Sequence, residues 1–494
     1  MNVFRKKSVD QLVAESTPLK RTMHTFDLTM LGIGAIIGTG IFVLTGKGAL
    51  TAGPALMVSF LLAAVCCGFA GLCYAEFASM IPVAGSAYTF TYTTVGEIVA
   101  WVIGWDLILE MLMAGSVVSK YWGVYLNQFF ELIGWNINTN IAIGSFNFDL
   151  APVIIVAFFT ALLVMGTKIG ARVDGALTIL KIAIVVFIVV VGFFYIKAEN
   201  FTPFIPPSEP AASTDGSGVS AVMEQPLWQW ATGMAPSIYG VTGIISGAAL
   251  VFFAFLGFDV VATASEETIN PKKNVPLGIG VGLGLIIVLY TLVAIVTTGM
   301  VSYKDLAKQS DPSLAVAFKM VGADWAAKII SLGIVIGMAT VVMVLLLGLT
   351  RVVFAMSRDG LLPRGLSHTG KHGTPVRLQI IVGVVMALIA ACCNVGILSD
   401  MVNIGTLSAF TLVAISIPIM RKKRPDLERS FKIPGNPWVP ILIALANLWL
   451  MVNLSVLTWI RFVVWLIVGF AIYFGYGYRH ARLGAGELEV ASQE

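Results

Sequence analysis

GIGAIIGTGIF, residues Gly32–Phe42, places four glycines among eleven residues of a run otherwise apolar enough to cross a bilayer. Glycine inside a helix costs about 1 kcal/mol relative to alanine. In lipid, a backbone group released from the helical ladder must find a partner in protein, water or ligand. Two explanations fit the stretch. Gly34 and Gly38 have the GxxxG spacing of a helix-contact face. Alternatively, Gly38-Thr39-Gly40 unwinds and exposes main chain. The amides of one half-helix then favour a carboxylate, and the carbonyls of the other favour an ammonium or a metal cation. An α-amino acid carries both charges about one residue apart, so such a break suits a zwitterion. From this stretch alone both explanations stand.

Two look-alikes fail. Gly40–Gly48 (GIFVLTGKG) has five residues between its glycines and Gly48 where a P-loop needs Ser or Thr. The dinucleotide pattern fails because the spacing is G-x-G-x-x-x-G.

The rest of the chain agrees with a membrane setting. Of 494 residues, 57% are hydrophobic and only 12% charged. Apolar runs of about 20 residues recur throughout, each sufficient for a hydrocarbon core. The reading is an all-α integral membrane protein. The N-terminus holds Arg5, Lys6 and Lys7 with no apolar core until about residue 27, as in a cytoplasmic tail rather than a signal peptide. Cys66, Cys67, Cys73, Cys392 and Cys393 lie in apolar runs and form neither a disulfide framework nor zinc spacing. No metal site and no cofactor are expected.

Twelve spans are expected, at 27–46, 54–76, 97–126, 151–167, 175–196, 243–265, 276–301, 325–356, 378–397, 401–420, 438–457 and 459–478. Lys and Arg gather in the tails and in the loops on their side, RKKRPDLERSFK (Arg421–Lys432) above all. That bias puts both termini in the cytoplasm of a plasma-membrane protein. A nucleic-acid role for so short a run between two spans is not expected. The outer loop, 197–242, is rich in Pro, Gly, Ser and acids. Part of it is expected to be mobile, with Trp228 and Trp230 at the membrane interface.

The chain also reads as built twice. Tail 1–26 precedes a five-helix unit, 27–196. After the loop, a second five-helix unit fills 243–420, followed by two further helices (438–478) and a cytoplasmic tail (479–494). Five is odd, so the second unit enters the membrane inverted, an arrangement of transporters. Its first span, FFAFLGFDVVATASEE (Phe252–Glu267), again has a glycine, Gly257, followed by an acid, Asp259.

Ionisable residues within spans are functional candidates. They are Asp106 and Glu110, four apart on one helix face, Lys120, Lys181, Asp259, and Glu266 with Glu267 near an inner end. Asp106 and Glu110 also fit as buried struts between helices, and Glu266 and Glu267 as interfacial groups. Lys181 either snorkels about 9 Å to the inner edge of its span or is a buried amine able to carry a proton. No His falls in a span, which weakens metal and His-relay chemistry.

Together FDLTMLGIGAIIGTGIF (26–42), YAEFASMIPVAGSAYTFTY (74–92), GEIVAWVIGWDLILE (96–110), GAALVFFAFLGFDVVATASEETINPKKNVPLGI (247–279), RVVFAMSRDGLLP (351–363), NIGTLSAFTLV (403–413) and RPDLERSFKIP (424–434) resemble the amino acid–polyamine–organocation superfamily. The chain looks closest to bacterial members of its cationic amino acid transporter branch. It is also similar to branched-chain amino acid permeases of Gram-positive bacteria. The resemblance implies a five-plus-five inverted repeat of the LeuT type, with helices one and six broken, and proton-linked amino acid uptake. By position it implies that Gly38, Thr39, Gly40 and Ile41 hold the substrate's carboxylate and amine. Phe252, Phe253, Ala254, Phe255 and Leu256 match the pocket side of span six, one aromatic covering the substrate. Lys181 matches a proton-coupling lysine, and Glu110 an acid of the same network.

GMATVVMVLLLG (Gly337–Gly348) in span eight has no acid. Leu345 and Leu346 fall where the family tunes side-chain size, so an apolar pocket favours neutral aliphatic L-amino acids. A cationic or broad-specificity carrier is the rival. A membrane enzyme lacks a His₂, G-x-S-x-G or P-loop motif, and a channel lacks repeated polar rings.

Overall fold

The apolar runs fold into helices in the computed structural model. It describes residues 4–7, 23–80, 87–135, 139–143, 146–165, 167–210, 223–235, 237–264, 268–309, 312–368, 375–425 and 429–482. Most of both expected tails, Glu266, Glu267 and the stretch of the long loop at 211–222 lie outside the described residues.

Among the described residues, seven helical stretches are long and apolar enough to cross a hydrocarbon core, and five further apolar helices are shorter. In chain order the principal helices begin with α1 (Thr25–Ile36), α2 (Thr45–Ala52), α3 (Leu56–Met80), α4 (Ala87–Thr94) and α5 (Glu97–Leu132). A hairpin of β1 (Asn140–Ile143) and β2 (Phe146–Asp149) then leads to α6 (Leu150–Met165) and α7 (Thr167–Phe193). Next come α8 (Gly240–Val251), α9 (Asp259–Thr263), α10 (Pro271–Met300) and α11 (Asp324–Arg358). The chain continues through α12 (Val376–Cys392), α13 (Val395–Lys423), α14 (Trp438–Val452) and α15 (Val456–Ile472).

Local chemistry sets the boundaries. Pro271 opens α10, where its missing N–H is no loss. Asn394 caps α13 by accepting from the Gly396 amide, and Ser455 caps α15 by accepting from Thr458. Side-chain exposure then reports the solvent. On α10, Leu277, Val281, Leu285, Val288 and Leu292 form an exposed apolar stripe at helical spacing, and α15 shows the same with Ile460, Val463, Val464, Ile467 and Val468. Stripes of that extent face hydrocarbon, not water. The opposite face of α10 packs on α3, and α5 packs chiefly on α11 and α13.

Several expected edges move. The run 27–46 is interrupted, as the resemblance implied, with α1 ending at Ile36. The span expected at 175–196 starts at Thr167, the one at 97–126 runs on to Leu132, and the one at 401–420 begins at Val395 because of its Asn394 cap. The expected loop 77–96 contains α4, whose Thr- and Tyr-rich sequence hides that it is buried throughout. The hairpin was not foreseen either.

The two ends of the chain meet. Arg5 donates to Glu97 at 2.9 Å and to the Tyr478 carbonyl at 3.0 Å. Lys7, 2% exposed, pairs with Asp359 at 2.9 Å, and Tyr88 donates to the same carboxylate at 2.7 Å. Glu97 also accepts from Tyr473 and Tyr92. These contacts strap both ends of the chain to the start of α5 and the end of α11. Trp230 is half exposed, and Trp228 lies 6.5 Å from Trp449.

Candidate functional site

The glycine-rich stretch breaks one residue earlier than its sequence indicates. α1 ends at Ile36; Ile37 is extended (φ −70°, ψ 95°), and a π-helical turn, Gly40–Leu44, follows Thr39 into α2. The second interruption follows α8. A 3₁₀ turn, Phe252–Phe255, leads to extended Leu256 (φ −68°, ψ 147°) and to Gly257, whose φ of +116° suits only glycine. α9 starts two residues later.

The two breaks cross in contact. A Cβ on Gly40 would sit 2.2 Å from the Ala254 Cα, and one on Gly257 would sit 2.9 Å from the Ala35 carbonyl carbon. Each glycine therefore admits the backbone of the other interruption. At Gly38 a Cβ would make ordinary contact with Val341 at 3.4 Å, so close packing does not explain that glycine.

The crossing places opposite backbone ends together. The carbonyl ends of α1 and of the 252–255 turn lie beside the amide ends of the Gly40 turn and of α9. Side chains from other helices take the released carbonyls. Lys181, on α7, donates from Nζ to the Gly34 carbonyl at 2.6 Å. Tyr290, on α10, donates to the Ile36 carbonyl at 3.0 Å. Tyr125, on α5, donates to the Phe42 carbonyl at 2.8 Å. Lys181 is 0% exposed and stands fourteen residues into its helix, about 21 Å by helical rise. Of the two readings of Lys181, its burial and its bond to Gly34 fit the buried amine rather than the snorkelling one.

A cavity sits at the crossing. Its polar side is formed by Gly38, Thr39, Gly40, Gly257, Asp259 and Glu110. Thr39 is 1% exposed and its Oγ1 has no hydrogen-bond partner among the described residues; the same holds for Glu110 Oε2. The apolar side is built by Met111, Ala114 and Val118 of α5, Val341 and Leu345 of α11, and Phe253 with Leu256. The space open to the centres of water-sized spheres is about 30 Å³. One water needs roughly 10–15 Å³ by that measure, so the cavity as it stands has room for about two waters.

Of the expected site residues, Gly38, Thr39, Gly40, Phe253, Leu256, Leu345 and Glu110 line this cavity. Ile41, Phe252, Ala254 and Phe255 are buried but do not line it, and neither does Lys181, which is bonded to the Gly34 carbonyl of α1. Asp106 is fully buried one turn from Glu110, and Lys120 donates to the Cys393 carbonyl at 2.6 Å. Sequence reading passed over Met111, Ala114 and Val118. Their signal was the helical spacing from Glu110 along one face of α5. Nothing in the sequence marked Tyr290 or Tyr125, whose partners come from distant segments.

Known proteins give the arrangement a family. A branched-chain amino acid permease, BcaP, of Bacillus subtilis (strain 168) is 44% identical over 495 residues, covering 98% of this chain and 99% of that protein. A methylthioribose transporter of the same organism is 42% identical over 493 residues, covering 98% and 99%. Cationic amino acid transporter 4 of Homo sapiens is 30% identical over 600 residues, covering 96% and 89%. Residues 23–474 match the amino acid permease family, and with the crossed helix breaks and the cavity between them the conclusion is that the chain belongs to it.

Proposed function

We propose that this permease is a secondary active carrier that takes neutral aliphatic, branched-chain L-amino acids into the cell together with protons, by alternating access. The observation that carries the reading is the crossing of two broken helices over a cavity with one polar and one apolar side. The Gly38–Gly40 main chain and the Thr39 hydroxyl bind the carboxylate, and the carbonyl ends of α1 and of the 252–255 turn bind the ammonium. Met111, Ala114, Val118, Val341 and Leu345 receive the side chain. Each buried CH₂ stabilises a substrate by about 0.8 kcal/mol, which favours leucine, isoleucine and valine over alanine.

Lys181 changes protonation between outward- and inward-open states, and Glu110 belongs to the same network. The charged amine holds the Gly34 carbonyl; the neutral amine releases it and lets α1 move. The twelve helices form two inverted five-helix units plus α14 and α15, in a plasma membrane with both termini cytoplasmic. The matching positions of the breaks and the bias of Lys and Arg support that topology.

Glu110, with one carboxylate oxygen unpartnered at the cavity wall, favours a second reading, a carrier of cationic amino acids. Purified protein in proteoliposomes under an inward proton gradient separates the two. Accumulation of leucine, competed by isoleucine and valine but not arginine, is expected. Gradient-driven uptake of arginine in preference to leucine would overturn the substrate assignment, and uptake indifferent to the gradient would overturn the coupling.

A further inference from the structure

A broken helix leaves carbonyls to be occupied, and three in the last turn of α1 find different partners. Ile33 accepts from the Ile37 amide, Gly34 from Lys181, and Ile36 from the Tyr290 hydroxyl. Tyr290 is fully buried. Its ring centroid lies 5.3 Å from that of Phe255 and 6.2 Å from that of Phe60, and those two rings are 6.1 Å apart. Phe255 closes the 3₁₀ turn of the second interruption. One side chain therefore touches both breaks, the first through its hydroxyl and the second through its ring. Packing alone asks only for the ring. A buried phenolic hydroxyl needs a partner, and here the partner belongs to Ile36, a residue of the cavity wall.

We propose that Tyr290 is a positioning residue for substrate binding. Its hydroxyl fixes the Ile36 carbonyl, and its ring ties that carbonyl to the Phe252–Phe255 turn, so the two halves of the head-group site keep their register. Without the hydroxyl, the Ile36 carbonyl is free to reorient, and the site must be re-formed each time a substrate binds. The inference rests on reading the cavity as the amino acid site.

The test is Tyr290→Phe in the full-length protein, reconstituted in proteoliposomes. The half-saturating leucine concentration is expected to rise about tenfold, which corresponds to 1.4 kcal/mol. The maximal rate stays within about twofold of wild type, and the thermal midpoint is unchanged. Deuterium uptake by peptides spanning 32–42 rises. Tyr290→Leu, which also removes the ring, additionally raises uptake at 252–258. A variant with unaltered half-saturation and unaltered exchange overturns the proposal, as does a loss of thermal stability alone. If wild-type protein carries no leucine, the amino acid reading fails by itself. The exchange arm still judges Tyr290, and unaltered exchange at 32–42 sinks it.

Discussion

Lys181 Nζ, on α7, donates to the carbonyl of Gly34, 147 residues earlier in the chain, over 2.6 Å. That carbonyl is free because α1 stops at Ile36. A cation at the carbonyl end of a helix is favoured both by the hydrogen bond and by the helix dipole. On the proposed coupling, the state of this amine and the position of the half-helix depend on each other, and the first prediction tests that.

Lys181→Ala removes the donor and leaves the Gly34 carbonyl without its Lys181 bond. Hydrogen bonds to charged groups contribute about 1.5–3 kcal/mol, so gradient-driven accumulation should fall by about tenfold or more. Counterflow of leucine, which needs no proton movement, should survive better. Proteoliposome uptake with and without a pH gradient checks this. Accumulation equal to wild type removes Lys181 from coupling.

Gly40→Ala and Gly257→Ala should both be severe. The first drives a methyl into the Ala254 backbone, and the second adds a clash to a left-handed φ. Overpacking costs about 1–3 kcal/mol. Both variants should lose transport and melt at lower temperature in detergent. Gly280→Ala is the control: nothing lies within 4 Å of its added Cβ, and helix propensity improves by about 1 kcal/mol.

Leu345→Ala should change selectivity rather than fold. Leu345 is partly buried, at the apolar wall of the cavity. Losing its three outer carbons should weaken leucine binding by about tenfold, while alanine loses less and phenylalanine gains. A competition panel against labelled leucine reads the order directly. An unchanged order would remove Leu345 from the side-chain pocket.

Asp359→Ala should destabilise the protein by about 3–5 kcal/mol, because it removes a buried carboxylate that pairs with Lys7 and accepts from Tyr88. Lys7→Met combined with Asp359→Leu should recover much of the loss, since both charges of the buried pair are then gone. Thermal unfolding of both variants tests the pair. A double variant no better than Asp359→Ala would show that the strap is held by something other than that ion pair.

Much of the helical pattern was legible beforehand. Long apolar runs become helices in lipid because a helix satisfies its backbone hydrogen bonds within a single segment, whereas the other solution, a closed β-barrel, uses short strands of alternating polarity. The first interruption was marked by a cluster of glycines and the second by one glycine, Gly257, followed by Asp259, although the first break falls at Ile37–Gly38 and the second at Leu256–Phe258. Edges were less legible. The start of α7 at Thr167 falls in a polar stretch, TKIGARVD, that hydropathy leaves out of a span, and the buried α4 was obscured because Thr91, Thr93 and Thr94 bond to carbonyls of their own helix, which hydropathy does not register.

The sequence by itself determined that this chain lives in a membrane and marked two apolar runs where glycine could interrupt a helix, because hydrophobic length and glycine content are properties of contiguous residues. Only the tertiary structure decided that the interruptions cross, that Lys181 and Tyr290 occupy the carbonyls so released, and that Lys7 and Asp359 bind one end of the chain to the bundle. Those contacts join residues hundreds of positions apart. They arise from helices packing side by side, a geometry that no local pattern of residues encodes.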